Sequence, residues 1–94
     1  MTTAIVLINI DRTQIKPAIK EILAVQGVTE VYTVAGEYDL VAVLRVKDNA
    51  RLSEIVAHHM PHMTGILRTK TLIALESHAK FDLDSALKTL QEQV

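Results

Sequence analysis

Two stretches of this 94-residue chain are apolar on both of their alternating faces. They are Ala4-Ile5-Val6-Leu7-Ile8, interrupted by Asn9 before Ile10, and Leu40-Val41-Ala42-Val43-Leu44, interrupted by Arg45 before Val46. Side chains of a β-strand alternate between the two sides of a sheet, so a strand that is apolar at every position needs cover on both sides. Both stretches therefore read as central strands. Whatever this chain folds into must supply two covering layers.

One layer is written in the segments between the strands. Ile15, Ala18, Ile19, Ile22 and Leu23 recur at helical spacing. Pro17 is compatible with that helix only in its first turn, where its missing N–H has no partner to lose, so the helix should start near residues 13–14. Gly27 then stops it. Val28 to Ala35 and Tyr38 to Val46 read as two strands joined by a tight Gly36-Glu37 hairpin. Asp48 or Asn49 caps a second helix carrying Leu52, Ile55, Val56 and His59 or Met60, and Pro61 ends it. The run from Ile66 to Leu75 alternates so that Leu67, Thr69, Thr71, Ile73 and Leu75 share a face, which predicts a fourth strand. Asp82 or Asp84 can cap a last helix with Leu83, Ala86, Leu87 and Leu90.

The order is β-α-β-β-α-β with an extra C-terminal helix. Its halves echo each other: Gly27-Val28 and Thr33 recur at a constant offset of 38 as Gly65-Ile66 and Thr71. Two stacked βαβ units give such an echo, and they make the ferredoxin-like α+β arrangement with an antiparallel sheet. Right-handed crossovers place the first and third strands centrally and both helices on one face. The other face of the sheet is then left apolar and open. At roughly 25 cal/mol per Å2, several exposed Val, Ile and Leu side chains would forfeit much of the folding free energy. The terminal helix can cover part of that face, whereas a second copy stacked sheet on sheet, the dimeric α+β barrel, covers all of it, so an obligate homodimer or a larger assembly is expected.

Composition narrows the rest. With 49 % hydrophobic and 22 % charged residues and few Gly or Pro, residues 1–94 should form one folded domain. Ten basic against eleven acidic side chains give a net charge of −1, which offers no electrostatic footprint for nucleic acid. The aromatic residues, Tyr32, Tyr38 and Phe81, leave little for stacking bases. The absence of cysteine excludes a disulfide framework and thiolate chemistry and fits a reducing cytoplasm. The Ala4–Ile8 run is far shorter than the roughly 18 residues that span a bilayer, so no membrane association is expected.

Few residues carry chemistry. In Val34-Ala-Gly-Glu-Tyr-Asp39 an acid and a phenol open an otherwise apolar strand. Near the rim of a sheet, Asp39 either accepts an ammonium group from a ligand or caps an amide of the loop. His58 and His62 stand four apart, as two imidazoles on one helix would for a shared metal ion. Pro61 interrupts that helix, and no Cys or suitably spaced carboxylate accompanies them, so solvated histidines and no metal are expected. Arg68 and Lys70 read as a solvated, edge-protecting pair or as a carboxylate partner. No nucleophile elbow, phosphate loop or dinucleotide fingerprint occurs, and no cofactor is implied.

Gly36-Glu-Tyr-Asp39 is followed about 25 residues later by Thr64-Gly-Ile-Leu-Arg-Thr-Lys-Thr71 and Leu72-Ile-Ala-Leu75. In the element order already read, this combination resembles the effector (RAM) domain of the leucine-responsive regulatory protein/AsnC family, from Ala4 to about His78. The resemblance implies an amino-acid sensor that dimerises through its sheets, associates into rings of dimers and binds small effectors between dimers near the Gly36–Asp39 turn. It implies Gly36, Tyr38 and Asp39 as ligand-binding residues, with Thr64, Gly65 and Thr69 as further contributors. Transcription factors of that family carry a helix-turn-helix ahead of this domain, whereas here the first strand begins at Ala4. The expectation is a stand-alone effector domain without a DNA-binding domain, which modulates transcriptional regulation of amino-acid metabolism without contacting DNA. Two alternatives remain open at this point. One is a small enzyme of the dimeric α+β barrel type, with His59 or His78 as its acid or base; the other is a purely structural oligomerisation partner of full-length regulators.

Overall fold

Strand β1, Thr2–Ile10, and strand β3, Leu40–Val46, occupy the middle of a four-stranded antiparallel sheet in the order β2-β3-β1-β4, as the two-faced apolar pattern requires. The edges are β2, Val28–Thr33, and β4, Ile66–Ile73. This computed structural model describes residues 1–80; the expected terminal helix with Leu83, Ala86, Leu87 and Leu90 lies outside the described residues.

The chain leaves β1 through Asp11, whose carboxylate accepts the Thr13 N–H at 3.0 Å and the Thr13 hydroxyl at 2.8 Å. This caps a 3-10 turn, Arg12–Gln14, that runs into α1, Ile15–Leu23, with Pro17 third in the helix as its missing N–H demands. Helix α2, Asn49–Ser53, begins where Asp48 Oδ1 accepts the Arg51 N–H at 2.9 Å. It is not the uniform helix expected. It widens into a π-helical stretch, Glu54–His59, and then tightens to a 3-10 turn, Met60–His62. Pro61 explains the change, because in a continuing α-helix its ring would press on the carbonyl four residues back.

Both helices cover one face. Ala18 and Ile22 from α1, Leu52 from α2 and Ile55 and Met60 beyond it are buried against Ala4, Val6 and Ile8 of β1 and Leu40, Ala42 and Leu44 of β3. Thr69 stands opposite Ile8 and Thr71 opposite Val6, so β4 presents threonines to the same side. The expected face of β4 needs correction at both ends. A bulge pairs Asn9 with Arg68 but Ile10 with Ile66, so Leu67 is the extra residue and is 72 % exposed. Leu75 lies beyond the strand and is also exposed.

The opposite face carries Ile5 and Leu7 of β1, Val41 and Val43 of β3, Leu72 of β4 and Tyr32 of β2, by register. Ile5 is 38 %, Leu72 45 % and Tyr32 50 % exposed in the single chain. Among the described residues no helix is long and apolar enough to cross a membrane.

Candidate functional site

The C-terminal end of β1 gathers the chemistry. Here β2 stops at Thr33 and β3 starts at Leu40, and the Val34 N–H donates to the Asp39 carbonyl at 3.0 Å. Ala35-Gly36-Glu37-Tyr38 form the loop between them, wider than the tight Gly36-Glu37 hairpin expected from the sequence. The reason is long-range. Asn9 Nδ2 donates to the Glu37 carbonyl at 2.7 Å, and Asp39 N–H donates to the Ile8 carbonyl at 2.9 Å, so beyond the Val34–Asp39 closure the loop is also drawn over β1. Gly36 has φ +131, a backbone conformation side chains disfavour, and nothing stands within 4 Å of where its Cβ would be.

Asp39 is held firmly. Its Oδ2 accepts the Ile10 N–H at 2.9 Å, and its Oδ1 lies 3.7 Å from Arg12 Nε. The Asp39 side chain is 19 % exposed and that of Arg12 85 %. The last backbone amide of β1 is thus satisfied by a side chain, where the ladder to β3 has already ended at Leu40.

From the other edge, Arg68 Nε and Nη2 donate to Asn9 Oδ1 at 3.2 and 3.1 Å. Arg68, Asn9 and Glu37 therefore link β4, β1 and the loop in one chain of hydrogen bonds. The Asp11 N–H donates to the Gly65 carbonyl at 2.8 Å, which brings Gly65 and the exposed Thr64 to the same end of the sheet. Gly65 has φ +82, and a Cβ there would stand 2.5 Å from Gln14 Cβ, so this close approach of the two turns needs glycine. The two Thr13 donors, the hydroxyl first and the amide second, hold the Asp11 carboxyl below its ordinary value.

Of the residues singled out in the sequence, Gly36, half-buried Tyr38, Asp39, Thr64 and Gly65 meet at this end, whereas Thr69 lies further along β4, opposite Ile8 on the helix-facing side. Asn9 and Arg12 escaped the sequence reading. Asn9 had a signal, being the one polar residue in the apolar stretch of β1; Arg12 had none. A cleft of about 380 Å3 opens elsewhere, lined by Gln26, Gly27, Arg45, Lys47, Asp48 and Arg51. It lies at the far end of the sheet, where Val46 pairs with Thr2, and contains none of these residues. His58, His59 and His62 are exposed, His78 Nε2 faces Glu76 Oε2 at 2.9 Å, and among the described residues no three His, Asp or Glu side chains converge on a point.

The model of the Lrp/AsnC ligand binding domain matches residues 3–82. No curated protein sequence matches the chain. Among solved structures, TTHA0845 from Thermus thermophilus is 36 % identical, with a TM-score of 0.79 over 85 % of this chain and 100 % of its own. The hypothetical protein PHS023 from Pyrococcus horikoshii is 29 % identical, with a TM-score of 0.75 over 83 % of this chain and 94 % of its own. A feast or famine regulatory protein from M. tuberculosis, complexed with L-methionine, is 24 % identical, with a TM-score of 0.70 over 87 % of this chain and 56 % of its own.

Proposed function

The chain belongs to the Lrp/AsnC ligand-binding domain family, and on that premise we propose that it is a non-enzymatic sensor of a small free amino acid, held at the β1 end of the sheet. The observation that carries this reading is Asp39, a carboxylate mostly withdrawn from solvent, with one oxygen tied to a backbone amide and the other facing only a solvated arginine. Such a group suits an ammonium ion, and the backbone around Gly36 and Gly65 with the Thr64 hydroxyl suits the carboxylate of the same molecule. The methionine bound by the mycobacterial relative supports this class of ligand. Thr69 contributes less directly, from the helix side of β4.

The reading includes assembly. The open face with Ile5, Leu7, Val41, Val43 and Leu72 is covered by a second copy, and dimers associate further into a ring. A neighbouring subunit at the Asp39 end completes the site. A ligand bound between subunits favours the assembly that binds it best, which couples effector concentration to oligomeric state. Through mixed assembly with full-length family regulators, the chain would modulate transcription in amino-acid metabolism without itself contacting DNA, acting in the cytoplasm.

The bond from Ile10 N–H favours a second reading, in which Asp39 only fastens the loop to β1 and the chain is a structural oligomerisation partner. A thermal-shift panel of the twenty amino acids followed by calorimetry separates them. A saturable hit supports the sensor, and the absence of any hit leaves the structural partner.

A further inference from the structure

Arg12 is the movable half of its pair with Asp39. Asp39 Oδ2 is committed to the Ile10 amide at 2.9 Å, which leaves Oδ1 as the oxygen for a cation, and Arg12 Nε stands 3.7 Å from it. With 85 % of its side chain exposed, Arg12 can rotate without disturbing the core. Its neighbour Asp11 makes no ion pair with it; the Asp11 carboxylate turns Oδ1 to the Thr13 amide and hydroxyl instead. Among the described residues Arg12 has no second acceptor.

We propose that the effector inserts into this ion pair, its ammonium on Asp39 Oδ1 and its α-carboxylate on the displaced Arg12 guanidinium, so that Arg12 is the residue that restricts the site to free zwitterionic amino acids. The inference rests on the amino-acid reading given above and adds a charged donor to the backbone groups and Thr64 hydroxyl that meet the carboxylate there. A lone amine arriving at Oδ1 would push Arg12 aside and leave two cations beside one carboxylate, a repulsive arrangement. A zwitterion returns an anion to Arg12 as it takes Asp39 away, and the planar guanidinium matches a carboxylate with two parallel N–H donors. Amides and decarboxylated amines lack that group and bind against Arg12, not with it.

Calorimetry with the twenty free L-amino acids, and with the α-amide of the tightest binder, on wild type, Arg12→Ala and Arg12→Lys tests this. Arg12→Ala should weaken the free amino acid about tenfold, the worth of one charge-assisted contact. The same variant should leave the amide unchanged or tighten it, because the competitor for Asp39 is gone, and Arg12→Lys should restore part of the discrimination. If Arg12→Ala binds the free amino acid as tightly as wild type or more so, Arg12 is only a competitor and the inference falls while the sensor reading stands. If wild type binds none of the twenty, the sensor reading itself fails, and this inference with it.

Discussion

Replacing Asp39 by Asn and by Ala separates its two duties, because the variants differ in what they leave for the Ile10 amide. Asn keeps a side-chain oxygen where Asp39 Oδ2 accepts that N–H at 2.9 Å, and loses only the charge. The Arg12 pair is long at 3.7 Å and its arginine is 85 % exposed, so the surface-pair range of about 0–1 kcal/mol applies to its loss. Asp39→Asn should therefore melt close to wild type. Asp39→Ala leaves the partly buried Ile10 N–H without an acceptor, a cost of about 1–3 kcal/mol. For a domain of this size each kcal/mol lowers Tm by about 4–8 °C, so calorimetric melting resolves the two variants. Effector affinity should follow charge and not stability. Both variants forfeit the ammonium contact, worth about 2–3 kcal/mol at the low end for a partly desolvated pair, or roughly 30- to 150-fold in Kd by titration calorimetry. Wild-type affinity in Asp39→Asn would refute the role of the carboxylate in binding. An Asn variant melting as low as the Ala variant would refute the assignment of the Ile10 bond.

Further expectations rest on other parts of the molecule. Ile5→Glu places a charge on the open sheet face at a position 38 % exposed in the single chain, so it should yield a folded monomer; sedimentation at micromolar concentration should find wild type dimeric or larger, and a well-folded wild-type monomer would refute the packing argument. Gly65→Ala should destabilise by about 2–4 kcal/mol in chemical denaturation, combining the strain of a positive φ with overpacking against Gln14 Cβ. Thr13→Ala should raise the Asp11 pKa toward its ordinary value in an NMR titration, with the Thr13 amide retaining part of the effect. Since the folded-state value is depressed, the stabilisation linked to Asp11 is present above the unfolded-chain pKa and is lost as pH falls through the folded one; the variant should show less of that acid-side loss.

The sequence alone determined the order of elements, the central places of β1 and β3 and the existence of an uncovered apolar sheet face, because these follow from local period and from the two-sided apolar runs at Ala4–Ile8 and Leu40–Leu44. It also marked Gly36 as a turn glycine and Asp39 as an acid out of place at the start of an apolar strand, whereas the demand for glycine at 65 emerged only from the fold. Tertiary structure decided the rest. The bulge that expels Leu67 and the widened loop over β1 depend on what lies across the sheet, not on alternation; the stop at Pro61 was legible in the sequence, the π-helical widening at Glu54–His59 before it was not. The contacts that build the candidate site join residues far apart in the chain: Arg68 reaches Asn9 across 59 positions, and Asp39 reaches Ile10 across 29. Periodicity fixes the face a residue occupies, but only the register between strands fixes its neighbour. That is why Arg12, an ordinary exposed arginine in the sequence, acquires meaning only when the fold sets it beside Asp39.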